Sequence, residues 1–211
     1  EVSEATRTAT FTPGNDANRL ASSKLEVPRI GVRFRVPHSL EKIKYLGRGP
    51  HENYTDRNAS AHVGIYTTTA NDMYFPYVRP QENGHHTDTR WIKLYQGKNK
   101  GLTILAHQTI GFNALRNSIE DFDSEEAIKR PYQWSNFTPE QIANKDESKA
   151  KNVLRRMHHV NDIKPRDFVE VCIDMRQQGV AGYNSWGDRP EPEHTIPANQ
   201  EYTWGFTLIA D

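Results

Sequence analysis

Residues 29–36 read RIGVRFRV, and this stretch decides the fold class. Ile30, Val32, Phe34 and Val36 fall on one side; Arg29, Arg33 and Arg35 fall on the other, with Gly31 between them. Side chains alternate across a strand at period two, so this is a half-buried antiparallel strand with a solvated basic face. On this reading the three arginines are the wet side of a strand, not a phosphate site. The same period recurs at 41–46, 61–66, 89–95, 102–107, 112–116, 168–175 and 202–209. In the last segment Tyr202, Trp204, Phe206 and Leu208 share a face. Gly, Pro and Asn turn signals separate many of these segments. Many short strands with such spacing predict an all-β antiparallel sandwich or barrel.

One region departs from the pattern. Residues 121–156 hold most of the charge clustering and show no strand period. Within them TPEQIANK supplies Thr138 as N-cap, Pro139 at the first helical position and Gln141 as capping-box partner. The spacing predicts a short helical excursion near 138–155, with a solvated stretch around 145–151. No repeat at a period of about 20–50 residues is present.

Composition narrows the function classes. The 211 residues suit one domain of generous size or two small ones. Basic and acidic residues balance at 27 each. A neutral chain gives no electrostatic reason to expect nucleic acid or an anionic membrane surface as partner. Apolar residues make up only 35 %, yet four Trp, nine Tyr and eight Phe still allow a core of large side chains. No apolar run approaches the roughly 20 residues of a membrane span. Cys172 is the single cysteine and lies in an alternating run, which predicts a buried structural thiol. The opening EVSEATRTAT has neither a basic stretch nor an initiator Met and reads as a cut inside a longer protein, so compartment stays open.

Two segments carry chemical side chains. Residues 46–57, LGRGPHENYTDR, place His51, Glu52, Asn53, Tyr54, Asp56 and Arg57 close together. This inventory fits a hydrolase site, and it equally fits a hydrogen-bonded corner in which Asp and Asn cap turns and Arg binds carboxylate. Its G-x-G is followed by Pro50 and no helix pattern, which argues against a phosphate loop. Glycoside hydrolysis needs two carboxylates. Glu52, Asp56, Glu82 and Asp188 are the candidates, and sequence alone pairs no two of them. The second segment, GVAGYNSWGDRPEP, sets Trp186 in a loop flanked by Gly and Pro, with Asn184 and Asp188 beside it. An indole face there suits the apolar face of a pyranose, and the polar neighbours suit its hydroxyls. An aromatic plug at one end of a sandwich explains it as well. Adjacent His85–His86 and His158–His159 point to opposite faces of a strand and make poor chelators. Ser185 has no evident base, so no serine nucleophile is expected.

Five collinear pieces make a family resemblance: PRIGVRF, YLGRGPHENYTDR, DMYFPYVRPQENGHHTDTRW, GFNA and GVAGYNSWG. In this order they resemble the C-terminal domain of the large bacterial β-galactosidases of glycoside hydrolase family 2. The resemblance implies a large antiparallel sandwich of the galactose-mutarotase-like type, one domain over residues 1–211 whose first strands are missing, with 121–156 as a possible insertion. It implies that the two catalytic glutamates lie on a separate (β/α)8 barrel, that no catalytic residue and no metal site lie here, and that any Mg2+ or Na+ requirement belongs to the barrel. Tyr54, Asp56 and Arg57 would then fix a loop, with Arg57 paired to Asp56 or another carboxylate. Trp186 would stack on sugar at the active-site rim; Asn184 and Asp188, read from their place beside it, are the further candidate substrate contacts. Partners implied are a β-galactoside, the upstream domains of the same chain and a possible homo-oligomer. A free-standing aldose 1-epimerase using His51 and Glu82, and a non-catalytic carbohydrate-binding module, are the alternatives.

Overall fold

The computed structural model describes residues 26–98, 100–122, 160–184 and 187–210, together with the backbone of 2–10. It contains eight strands: β1 Val2–Thr10, β2 Arg29–Pro37, β3 Lys42–Gly49, β4 His62–Thr69, β5 His86–Gln96, β6 Lys100–Leu115, β7 Phe168–Gln177 and β8 Glu201–Ala210. Every pairing is antiparallel. The fold is an all-β sandwich, as the period-two pattern predicts. The described helical residues are short 3-10 turns at His38–Leu40, Ile119–Asp121, Val160–Asp162 and Pro192–His194.

β6 organises the sheet. One edge pairs with β5 along most of its length. On the other edge its first half, from Leu102 to Ala106, pairs with β8, and its second half, from Gly111 to Leu115, pairs with β7. The sheet therefore runs β1-β8-β6-β5-β3-β4, with β7 and β2 branching from the far end of β6. Sequence periodicity divides β6 into two strands. The reason is its middle: His107, Gln108 and Thr109 are all exposed and unpaired where the strand changes neighbours, so the apolar alternation lapses although one strand runs from Lys100 to Leu115. β1 is a further strand that the periodicity does not reveal; it pairs with β8 in register from Val2–Ile209 to Thr10–Glu201.

One apolar cluster joins the strands. Ile43 and Tyr45 of β3, Ile92 and Leu94 of β5, Ile104 and Phe112 of β6, Val169, Val171 and Ile173 of β7, and Trp204 and Phe206 of β8 pack together. Tyr45 meets Phe112 edge-on at 5.1 Å, a preferred aromatic geometry. Burying each such side chain contributes about 1.5–3 kcal/mol. Cys172 is buried on β7, and burial pushes its thiol up to about 12, so it is inert at neutral pH. The expected helix near 138–155 lies outside the described residues, as does the proposed insertion beyond Phe122.

The basic face of β2 needs correction. Arg33 and Arg35 are half-exposed, yet both reach Glu170 of β7, at 3.4 and 2.9 Å, and Glu170 is buried. The bulge beside Ile30 and Gly31 places its extra residue, Met175, on β7, so Arg29 keeps the face of Arg33 and Arg35 and there forms a two-pronged pair with Asp174 at 2.7 and 2.6 Å. The arginines of β2 thus neutralise acids on its neighbour as well as facing water.

Candidate functional site

The stretch after β3 folds as a densely bonded corner. Asn53 is fully buried, and its side chain serves as the hub. Its Nδ2 donates to the carbonyls of Arg48 and His51, at 3.2 and 3.0 Å. Its Oδ1 accepts from the amide and hydroxyl of Thr87, at 3.0 and 2.6 Å. A buried amide with both ends engaged is stabilising where an unpaired one would cost about 1–3 kcal/mol. Glu52 accepts from the Gly84 amide at 2.7 Å and from the Tyr77 hydroxyl. Burial, reinforced by that bond to Glu52, pushes the Tyr77 hydroxyl up to about 12. Tyr54 stacks on the buried ring of His85 at 5.5 Å.

The end of the corner holds a second loop, 125 residues away in sequence. Asp56, whose side chain is fully buried, accepts from the amide of Ala181 at 2.7 Å. Arg57 donates to the carbonyl of the same residue. Arg57 lies 4.0 Å from Asp56, so its stronger partner is the backbone of Ala181 rather than the expected carboxylate. Ala181 takes a left-handed φ of 52°, followed by Gly182 at 80°. Beyond it, Asn184 donates to Asp188 at 3.1 Å, with both residues exposed. Ser185 and Trp186 lie outside the described residues.

Corner and loop together border a cleft of about 760 Å3. Tyr54, Arg57 and Tyr77 line it from the corner; Ala181 and Asp188 line it from the loop; Arg29, Glu82 and Gln177 also contribute. Arg29 bridges from Asp174 to Glu82, which it approaches at 3.4 Å, and Asn113 donates to Glu82 at 3.2 Å. Burial raises the Glu82 pKa above the usual carboxylate range; Asp174 adds to the rise and Arg29 opposes it. Arg189 pairs with Glu26 at the rim. Tyr54 Oη and Gln177 Oε1 are buried with no hydrogen-bond partner among the described residues. The cleft therefore combines internally paired charges, aromatic rings and polar atoms. That chemistry suits a neutral, hydroxyl-bearing ligand better than a strongly charged one.

The four candidate carboxylates all have partners: Glu52 the Gly84 amide and Tyr77, Asp56 the Ala181 amide, Glu82 Arg29 and Asn113, Asp188 Asn184. Glu82 and Asp188 border the same cleft. His51 does not share it with Glu82: it bonds Ser60 at 3.1 Å and lines a separate cavity of about 350 Å3 beside Glu52. His85 and His86 occupy different surroundings, His85 against Tyr54 and Asp174, His86 among Tyr45 and Phe112. Sequence reading missed Arg29 and Gln177 as cleft-lining groups, and Asp174 as the buried acid that holds Arg29. A signal existed: β7 carries Glu170 and Asp174 at the parity that faces the arginines of β2, and two acids in an apolar strand call for cationic neighbours.

An antiparallel sandwich with a polar cleft lined by strand ends and connecting loops defines the class: an all-β scaffold. Comparison with known proteins is more specific. The chain belongs to the β-galactosidase small chain family, whose model matches residues 3–208. It is 30 % identical over 183 residues to a β-galactosidase of Priestia megaterium (strain DSM 319 / IMG 1521), covering 87 % of this chain and 15 % of that protein. A β-galactosidase of Vibrio cholerae serotype O1 is 28 % identical over 189 residues, 90 % of this chain and 15 % of the relative. One from Arthrobacter sp. (strain B7) is 35 % identical over 102 residues, covering 46 % and 10 %. The chain thus spans about 15 % of the length of the first two relatives.

Proposed function

We propose that this chain is the C-terminal accessory domain of a retaining β-galactosidase that hydrolyses terminal, non-reducing β-D-galactose residues. The observation that carries the reading is the family match across residues 3–208 of a chain that spans so little of its relatives. The catalytic glutamates would lie on a barrel elsewhere in the protein, together with any Mg2+ or Na+ site. The engagement of Glu52, Asp56, Glu82 and Asp188 in local bonds is in keeping with a domain that supplies no acid, base or nucleophile. Its contribution to catalysis is recognition. Trp186 stacks on the sugar at the rim of the active site, and Asn184 and Asp188 bond its hydroxyls. The resemblance of GVAGYNSWG to the family motif supports this role, as does the position of Asp188 on the cleft.

Kinetics of the complete enzyme test it. A stacking platform contributes similar binding in ground and transition states, so Trp186→Ala should raise KM for lactose more than it lowers kcat. Trp186→Phe should recover part of the loss and Trp186→Leu less, because the π-face matters more than bulk. An unchanged KM in a folded Trp186→Ala protein would leave the tryptophan as a plug of the sandwich end.

A further inference from the structure

We infer that Asp56 and Arg57 are positioning residues for sugar recognition, acting through the backbone of Ala181; the inference rests on the reading of the 184–188 loop as sugar-binding. Two neighbouring side chains grip one peptide segment from opposite ends. Asp56 takes the Ala181 amide at 2.7 Å, and Arg57 donates to the Ala181 carbonyl. The gripped residue is an alanine at φ 52°, a region that L side chains rarely adopt. Such a conformation persists only where surrounding bonds over-determine it, and it marks places where the chain must be aimed.

The loop is aimed from a second side too. Gly179 lies so close to Asp56 that a Cβ there would come within 2.6 Å of its carboxylate, and the Gly179 amide donates to the carbonyl of His194 at 2.8 Å. The Asp56 side chain is fully buried, so its bond to Ala181 is shielded from competing water. Three residues past the grip stands Asn184, bonded to Asp188 on the cleft rim. A shift at Ala181 is therefore carried directly to the groups that would meet a sugar. This is also the reason that YTDR sits where it does: the corner is the anchor of the other loop.

The test uses the complete enzyme with lactose. Asp56→Ala should raise KM about tenfold, the loss expected for one buried hydrogen bond, with kcat little changed. Asp56→Asn keeps an oxygen for the Ala181 amide and should recover most of the affinity. In an Asp188→Ala background, Asp56→Ala should add less than about twofold, because both act through one loop. Hydrogen exchange of the amides in 179–184 should quicken in Asp56→Ala and in Gly179→Ala. Unchanged exchange in both variants, or effects of Asp56→Ala and Asp188→Ala that simply multiply, overturns the inference. Quickened exchange in Asp56→Ala, with KM unmoved by Asp188→Ala and Trp186→Ala, instead overturns the sugar-binding reading of the rim, and the positioning role falls with it while the grip itself stands.

Discussion

Arg29 and Arg33 lie on one strand, four residues apart, and differ in what they leave behind when removed. Arg29 is the bidentate partner of Asp174, whose side chain is only 1 % exposed. Truncating one member of a buried pair leaves an uncompensated charge, which costs about 3–5 kcal/mol. Arg33 bonds the exposed Glu120 at 2.7 Å and reaches Glu170 only at 3.4 Å. Glu170 keeps Arg35 and the Ile119 amide when Arg33 is lost. An exposed pair contributes about 0–1 kcal/mol. Denaturant unfolding should therefore show a large drop for Arg29→Ala and a small one for Arg33→Ala. Comparable losses would mean that Asp174 finds another cation or sheds its charge at little cost. The difference was hidden in the alternation of RIGVRFRV, because the three arginines share one face of β2 and only the residues opposite them on β7 decide which is buried.

At the scale of elements, β6 is the strand on which the branch depends. Its second half passes under His85, with Gly111 packed against that ring. A Cβ added there would stand 2.5 Å from the ring of His85, which is itself buried against Tyr54. The ring has nowhere to swing, so Gly111→Ala should overpack the site and cost about 1–3 kcal/mol or more. Thermal melting of Gly111→Ala checks this, and a melting point within a degree of the parent would show that His85 yields freely. The sequence marks Gly111 only as a turn-like glycine between two short strands. Its packing role becomes visible once β5 brings His85 to it.

For the whole molecule, buried histidines set the response to acid. Burial holds His85 well below its ordinary pKa, and the nearby Arg29 and His86 lower it further. Burial also lowers His86, despite its bonds to the Pro50 and Gly84 carbonyls. Both stay neutral in the folded state, whereas in the unfolded chain each takes a proton near pH 6.5. The unfolded state thus binds more protons below that pH, and stability falls as pH drops. Glu82 works in the opposite sense, because its raised pKa lets the folded state hold a proton that the unfolded chain releases above about 4.5. Burial raises Asp174 in the same sense, with Arg29 opposing the rise, so the histidines prevail where Arg29 keeps the two carboxyls ionised. Stability should decline from pH 7 to pH 5, by at most about 1.4 kcal/mol per unit for each histidine proton that no carboxyl offsets. A flat profile of unfolding free energy over that window would show that the histidines titrate normally.

What the sequence determined by itself is local in origin. Alternation at period two is a property of neighbouring residues, so RIGVRFRV and EYTWGFTLIA announce strands, their faces and an antiparallel class without knowledge of their partners. Motif order likewise pointed to the β-galactosidase family through residues that are contiguous in the chain. The tertiary structure alone decided which side chains meet. Asp56 and Ala181 are 125 residues apart, and Arg29 and Asp174 are 145 apart. Their encounters follow from strand register and from the branching of β6, which no local pattern encodes. The inventory HENYTDR was therefore legible as chemistry-bearing but ambiguous in role. Burial and partner geometry resolve it as an anchor, because Glu52, Asn53, Asp56 and Arg57 bond to groups the fold brings from far along the chain, while Tyr54 Oη, Thr55 Oγ1 and one Asp56 oxygen find no partner among the described residues.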